Sequence, residues 1–378
     1  MARTRVERNI SFDTQRGVYY VCLDEGREGN KRQKHYRTAP TLRAARAELL
    51  DFEREREARR AALPMEPGRT LDSWLREWLT TVIRPTRAET TAYAYRNIIR
   101  NHIRPALGKL PLDQVTPQII QRYYATLLRE KHLSPNTVRR HHDLLSCALG
   151  CAVRQDLLAD NPLRRVEPPH ALQPQTRFYN AAQLRRLYDL VEGTPLEVPV
   201  KLAGGLGLRR EEICGLRWQN VDLERRRVCI CQARTSVGSR VVEKGTKNAS
   251  SLRTLSLTEE LCDLLRRERQ RQEEIARRMK KNWPNTGLVY VGRYGAPPKP
   301  NTLTRSFSQF IRKNDLPYLT LHGLRHTFAT LANQQGAPLF DIGKALGHST
   351  PSTTGKIYTH LVDQTHAATL DLVARAVR

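Results

Sequence analysis

Five short stretches in the second half of the chain concentrate side chains that can hold an anion and move a proton. The first reads Leu206-Gly207-Leu208-Arg209-Arg210-Glu211-Glu212-Ile213, and the second Lys247-Asn248-Ala249-Ser250-Ser251-Leu252-Arg253-Thr254-Leu255. Then come His322-Gly323-Leu324-Arg325-His326-Thr327-Phe328-Ala329, Leu346-Gly347-His348-Ser349-Thr350, and Lys356-Ile357-Tyr358-Thr359-His360. Guanidinium groups grip anionic oxygens bidentately, imidazoles titrate near neutral pH, and a tyrosine oxygen can act as a nucleophile. The sequence has no GxxxxGK(S/T) phosphate loop and no HExxH metal motif, so neither ATP nor zinc is the indicated agent. Taken singly, each residue has an ordinary structural reading: Arg209 as an ion-pair partner of Glu211 or Glu212, His322 and His326 as helix residues, Tyr358 as a core tyrosine. Unrelated structural residues have no reason to fall jointly into this order.

The rest of the chain has to position these groups. Its 378 residues predict two or three domains, each with its own core. The formal charge of +26 points to a polyanionic partner. With 39% apolar residues the chain is too hydrophobic for wholesale disorder, and no window approaches the ~18 unbroken apolar residues of a membrane span. Seven cysteines, without a CxxC pair and without a cationic-then-apolar leader, read as reduced, cytoplasmic, mostly buried thiols. Cys229 and Cys231 can share one face of a strand, but the two further ligands of a zinc site are missing at finger spacing, so no metal is expected.

Proline-bearing stretches at 64–68 and 168–174 divide the chain into segments 1–63, 64–168 and 169–378, with net charges of +5, +6 and +15. The first predicts strands at Val18–Leu23 and Arg32–Thr38, separated by a Gly/Asp/Glu turn region, and a helix from Thr41 to Ala62, giving a small sheet crossed by one helix. A β-ribbon projecting Lys31, Arg32, Lys34 and Arg37 can enter a DNA major groove; the plainer alternative is a solvated hairpin. The second segment reads as four or five helices. Thr116-Pro117 and Ser134-Pro135 each place a capping residue before a proline at the first helical position, and Arg139, Arg140, His141 and His142 open the last helix, where they suit backbone phosphates. Taken alone, such a basic face is more often solvated surface, and the whole-chain charge is what shifts the balance. The third predicts helices at 180–192, 195–205, 209–217 and 258–281, a β region from Arg227 to Leu257 with turns at Gly238 and Gly245, and further helices from Thr302 onward.

The five stretches, in this order, resemble the tyrosine recombinase (phage integrase) family. HxLRHTxA followed by LGH and, ten residues beyond that histidine, a tyrosine is the most specific part. By motif the resemblance covers about residues 175–362, and by layout the whole chain. It implies a multidomain, mainly α protein with small β-sheets: an N-terminal sheet-plus-helix arm-type DNA-binding domain, an all-helical SAM-like core-binding domain, and a mixed α+β catalytic domain ending in a tail. It further implies that Tyr358 attacks a DNA phosphodiester to leave a 3'-phosphotyrosyl link, with Arg209 and Arg325 clamping the phosphate and His322 and His348 hydrogen-bonding to it. His322 is also the candidate to manage the tyrosine proton. Lys247 takes the general-acid role, Lys244 being the alternative on the same hairpin, and Glu212 orients Arg209. Glu211 departs from the glycine often found at its position and is expected to leave Arg209 untouched.

The implied function is a site-specific integrase of a phage or integrative mobile element. It acts as a homotetramer on double-stranded DNA with core and arm sites, exchanging strands through a Holliday junction without ATP or metal. A DNA-bending host factor and an excision factor are the implied accessory partners, and the location is cytoplasmic, at the nucleoid. The tail after Tyr358, with Leu361, Val362, Leu370, Leu372 and Val373 in a helix-compatible pattern, docks either on a neighbouring protomer or on its own domain. The alternatives are a non-catalytic DNA-binding regulator on the same scaffold, a chromosome-dimer resolvase, and a type IB topoisomerase-like enzyme.

Overall fold

The computed structural model describes residues 3–28, 31–61, 68–172, 177–245 and 252–347. The chain forms two compact units, Met1–Leu172 and Gln173–Arg378.

The first unit opens with an antiparallel meander: β1 (Arg3–Glu7), β2 (Ile10–Asp13), β3 (Val18–Glu28) and β4 (Lys31–Ala39), paired in chain order. Helix α1 (Leu42–Ala61) follows, and Ile10, Val21, Leu23, Ala39 and Ala45 make up the buried apolar set here. The expected strands and helix are present, but the sheet has two more strands than the pattern predicts. β1 is almost wholly exposed and carries Arg3, Arg5 and Glu7, so it has no apolar alternation to reveal it. The expected turn after Leu23 is instead strand: a register shift between Asp24 and Gly26 absorbs the irregularity and pairing continues to Glu28↔Lys31.

A helical region with its own core of Trp74, Trp78, Tyr124, Leu144 and Leu149 occupies the rest of this unit. Its helices are α2 (Leu71–Trp78), α3 (Arg84–Thr86), α4 (Glu89–Ile98), α5 (Arg104–Leu107), α6 (Pro117–Arg129) and α7 (Pro135–Arg154). Single π turns at Leu79–Ile83 and Ile99–Ile103 join α2 to α3 and α4 to α5, so the six helices make four continuous rods. Each π turn runs directly into an Arg-Pro pair, Arg84-Pro85 or Arg104-Pro105. A proline inside a helix lacks the N–H for its i−4 bond and crowds that carbonyl, and a wider turn accommodates both defects. Arg84 N–H accordingly reaches back five residues to the Leu79 carbonyl, and Arg104 N–H to that of Ile99. Thr116 and Ser134 cap α6 and α7 through their hydroxyls, each accepting from the backbone N–H three residues on.

The second unit begins with α8 (Ala181–Val191), α9 (Glu197–Leu206) and the short α10 (Arg210–Gly215). A three-stranded sheet in the order β5 (Val221–Asp222), β6 (Arg227–Ile230), β9 (Arg253–Ser256) is interrupted by a two-stranded hairpin, β7 (Gln232–Val237) and β8 (Arg240–Gly245), which turns at Gly238. Then come α11 (Glu259–Met279), α12 (Pro300–Lys313), α13 (Leu321–Gln334) and α14 (Leu339–Leu346). Leu202, Leu206, Leu208, Ile213, Phe307 and Leu324 belong to one core, while α14 packs its Ile342 and Leu346 with Ala329 of α13. Among the described residues no helix is long and apolar enough to cross a membrane.

Candidate active site

Three arginines from distant parts of the second unit meet at one helix end. α14 finishes at Leu346, with Gly347 in the left-handed conformation as its cap, and the last carbonyls of a helix have no partner inside it. Arg253 Nε donates to the Ala345 carbonyl (2.7 Å), Arg325 Nη2 to that of Leu346 (2.6 Å), and Arg209 Nη2 to that of Gly347 (3.3 Å). Three consecutive carbonyls are thus satisfied by three guanidinium groups, at the end of the helix dipole that favours positive charge. His348 is the next residue in sequence.

Arg209 stands just before α10, with extended backbone. Glu212, one turn on, reaches back to it twice: Oε1 accepts from Arg209 Nη1 (2.8 Å) and Oε2 from its backbone N–H (2.9 Å). The same carboxylate receives a two-pronged grip from Arg253, Nη1 to Oε1 at 3.1 Å and Nη2 to Oε2 at 2.9 Å. The Glu212 and Arg253 side chains are 5% and 7% exposed, whereas that of Arg209 is 32% exposed. Burial pushes the Glu212 carboxyl up, but the Arg253 hydrogen bonds and charge, with those of Arg209, outweigh it and hold the group below its ordinary value. Glu211 serves a different arginine: its Oε1 accepts from Arg210 Nε and Nη2, so Arg209 is left to Glu212.

Arg325 lies in the second turn of α13, whose Thr320 cap accepts from Gly323 N–H. The residue is buried, and its Nη1 donates to the Gly207 carbonyl (2.8 Å), two residues before Arg209. Gly207 itself adopts φ +64° with no room for a side chain: a Cβ there falls 2.5 Å from Leu346 Cδ2 and 2.9 Å from Phe328 Cδ1. His322 is three residues before Arg325 and keeps an exposed edge, while protein packed about its ring and then the charges of Arg325 and Arg209 hold its pKa below the ordinary value. His326 meets it edge-on, centroids 4.9 Å apart, and burial pushes the His326 pKa down to about 4.

The structure therefore brings Arg209, Glu212, His322 and Arg325 into one region and adds Arg253, which sequence reasoning quoted but gave no role. Arg253 lies six residues after Lys247 in a strand of otherwise unremarkable pattern, and only the fold reveals its partners. Lys247, His348 and Tyr358 lie outside the described residues, as does the tail. Lys244 is on β8 opposite Ala233, its Nζ buried with no hydrogen-bond partner among the described residues.

Of the sequence-predicted DNA contacts, Lys34 is exposed on β4 and pairs with Asp24, while Arg37 pairs across the sheet with the buried Val21 and forms an ion pair with Glu48 of α1. Arg37 therefore belongs to the face that α1 covers. Lys31 and Arg32 pair with Glu28 and Arg27, and their side chains lie outside the described set. Arg140 is exposed on α7, but Arg139 donates to the Pro169 carbonyl (2.9 Å). The α7 register also corrects the reading of the histidines beside them, because the helix starts at Pro135 and places these residues past its first turn. His141 is buried and joined to the Tyr123 hydroxyl at 2.8 Å, and His142 to that of Tyr124 at 3.1 Å.

Two buried arginines, Arg253 and Arg325, the half-buried Arg209, one carboxylate shared by Arg209 and Arg253, and the imidazole of His322 thus gather in one region. Residues 177–365 match the phage integrase family, and residues 70–128 the N-terminal SAM-like domain of phage integrases. The chain belongs to the phage integrase family of tyrosine recombinases, enzymes of DNA cleavage and rejoining. It is 27% identical over 312 residues to a XerC-like tyrosine recombinase of Caldanaerobacter subterraneus, covering 78% of this chain and 80% of that one. An integrase of Mycobacterium phage D29 is 27% identical over 90% of each chain, and one of Streptomyces ambofaciens 26% over 98% and 97%. In fold the chain is similar to the Tn1549 transposon integrase in complex with transposon right-end DNA, at TM-score 0.69 and 21% identity, covering 81% of this chain and 100% of that one. It is also similar to a lambda integrase tetramer bound to a Holliday junction, at TM-score 0.59 and 17% identity, covering 94% and 96%.

Proposed function

We propose that this recombinase is the integrase of a phage or integrative mobile element, joining two DNA duplexes as a homotetramer at the nucleoid. The observation that carries the reading is the arginine cluster: Arg209 and Arg325 fixed together at the end of α14, directly ahead of His348 in sequence. The D29 and Streptomyces ambofaciens relatives, aligned over nine-tenths or more of their length, are named integrases, and the lambda neighbour was solved as a tetramer on a Holliday junction.

The chemistry assigned to the site is as follows. Tyr358 Oη attacks the scissile phosphorus, a P–O bond forms to tyrosine, and the bond to the 5'-oxygen breaks. Charge gathers on the non-bridging oxygens, where Arg209, Arg325 and His348 hold it. His322, whose pKa its surroundings hold below the ordinary value, accepts the tyrosine proton. Lys247 delivers a proton to the leaving 5'-oxygen; the alternative Lys244 has a buried amine and suits that task less. The phosphotyrosyl ester keeps the energy of the broken bond, so the 5'-hydroxyl of a second duplex reverses the step and releases Tyr358.

The N-terminal sheet is assigned to arm-type DNA. Its open face carries Arg3, Arg5, Tyr20, Lys34 and Tyr36 by strand register, a mixture of cations and aromatics suited to phosphates and groove walls. Three domains, 1–63, 64–168 and 169–378, follow as the working division. Incubating the protein with two distinguishable duplexes bearing the element's core sites tests the reading: hybrid strands and four-way junctions are expected. Relaxation of supercoiled plasmid with no strand exchange between duplexes favours the topoisomerase-like alternative instead.

A further inference from the structure

We infer that Arg253 is a positioning residue for cleavage, setting the Arg209 guanidinium and the end of α14 in register with each other. The inference rests on the catalytic reading of Arg209 given above and goes beyond it by assigning a role to a side chain that does not reach substrate.

Arg253 is nine-tenths buried and engages two things at once. Its two terminal nitrogens take both oxygens of Glu212, and its Nε takes the Ala345 carbonyl. The bidentate grip fixes the plane of the carboxylate, because both oxygens must face a rigid guanidinium fork. Once that plane is fixed, the direction in which Oε1 accepts from Arg209 Nη1 is fixed as well, and so is the backbone N–H held by Oε2. Arg209 also touches the Gly347 carbonyl, two residues beyond the one Arg253 holds. Arg253 and Arg209 are therefore two clamps on one helix end with a common carboxylate between them, and the carboxylate transmits orientation from the buried clamp to the exposed one. A lysine in place of Arg253 keeps the charge but loses the fork.

Without Arg253, Glu212 has Arg209 as its remaining partner among the described residues and draws that guanidinium inward. The consequence falls on stabilisation of the phosphate, not on protonation of the leaving group. This separates Arg253 from the lysine stretch it adjoins in sequence.

The test uses the full chain on a nicked core-site duplex under single-turnover conditions, scored for the covalent protein–DNA adduct. Wild type is compared with Arg253→Met and Arg253→Lys, with gel-shift affinity and thermal melting measured alongside. A second substrate carries a bridging 5'-sulfur, whose thiolate leaves without a proton. Arg253→Met is expected to bind DNA within about threefold of wild type while forming adduct at least 100-fold more slowly on both substrates. Arg253→Lys is expected to recover only part of the rate. If Arg253→Met does not fold, the Glu212→Gln/Arg253→Met pair removes both buried charges together and is expected to fold with the same loss. Adduct formed at the wild-type rate by either folded variant overturns the inference. So does a loss that disappears on the sulfur substrate, because the residue then serves leaving-group protonation. A wild-type protein that binds the site but yields no adduct on either substrate overturns the catalytic reading itself, and this inference with it.

Discussion

Arg325 donates to the carbonyl of Gly207, linking α13 to the loop that presents Arg209 although the two residues are 118 positions apart. The bond works only while that loop lies flat against α14, which requires a residue with no side chain at φ +64°. Gly207→Ala forces a Cβ against Leu346 and Phe328 in a conformation L-residues disfavour. A loss of about 1–3 kcal/mol is expected, with a fall in cleavage that exceeds the fall in DNA affinity, measured by urea unfolding and single-turnover assay.

Glu212 is the hub of two buried or half-buried cations, so its removal leaves Arg253 without its main counter-charge. Glu212→Ala is expected to cost about 3–5 kcal/mol. Because the Glu212 pKa is lowered on folding, its contribution is fully present above the ordinary carboxylate value of about 4.3 and is lost as pH falls through the depressed folded value. Unfolding curves of the second unit taken between pH 7 and pH 3 should be steeper in pH for wild type than for Glu212→Gln.

His141 provides an independent pH handle in the first unit. Burial, and then the neighbouring His102, push its pKa down to about 4, so the unfolded chain binds a proton that the folded chain refuses. The stability it secures is present above the ordinary histidine value of about 6.5 and drains as pH falls towards 4, on the order of 3 kcal/mol. His141→Gln is expected to flatten this slope in the isolated first unit's thermal melts or, equally, in the corresponding transition of the whole chain.

Lys34 and Arg37 separate DNA contact from sheet packing. Lys34→Ala is expected to weaken arm-site binding and reduce the salt dependence by about one phosphate contact. Arg37→Ala loses an exposed ion pair to Glu48 worth under about 1 kcal/mol and should leave the salt dependence unchanged. Fluorescence titrations across a salt series distinguish the two.

Much of this architecture was legible in the sequence because period and punctuation agreed. Thr116-Pro117 and Ser134-Pro135 announced two helix starts, and the helices at 181–191, 197–206 and 259–279 fall within a few residues of their apolar patterns. The π turns were also written there, as Arg-Pro pairs within helical stretches, but a 3.6-residue period does not reveal a local widening. β1 was hidden because an exposed edge strand shows no alternation. At the site, Arg209, Glu212, His322 and Arg325 were named through the family resemblance that their motifs carry, whereas Arg253 was given no role: its part depends on carbonyls and a carboxylate brought to it from residues 345 and 212. His141 misled for the opposite reason, since a histidine beside two arginines looks like a phosphate ligand until the helix register turns it inward.

Cleavage by Tyr358 is the central claim, and a suicide substrate tests it most directly. A nicked duplex carrying the core site, incubated with wild type and with Tyr358→Phe in the absence of ATP and added metal, is run under denaturing conditions. A protein–DNA band that survives denaturation with wild type and is lost with Tyr358→Phe is the expected result. DNA bound equally by both proteins, with no covalent band from wild type on a verified site, contradicts the assignment and leaves a DNA-binding regulator in its place.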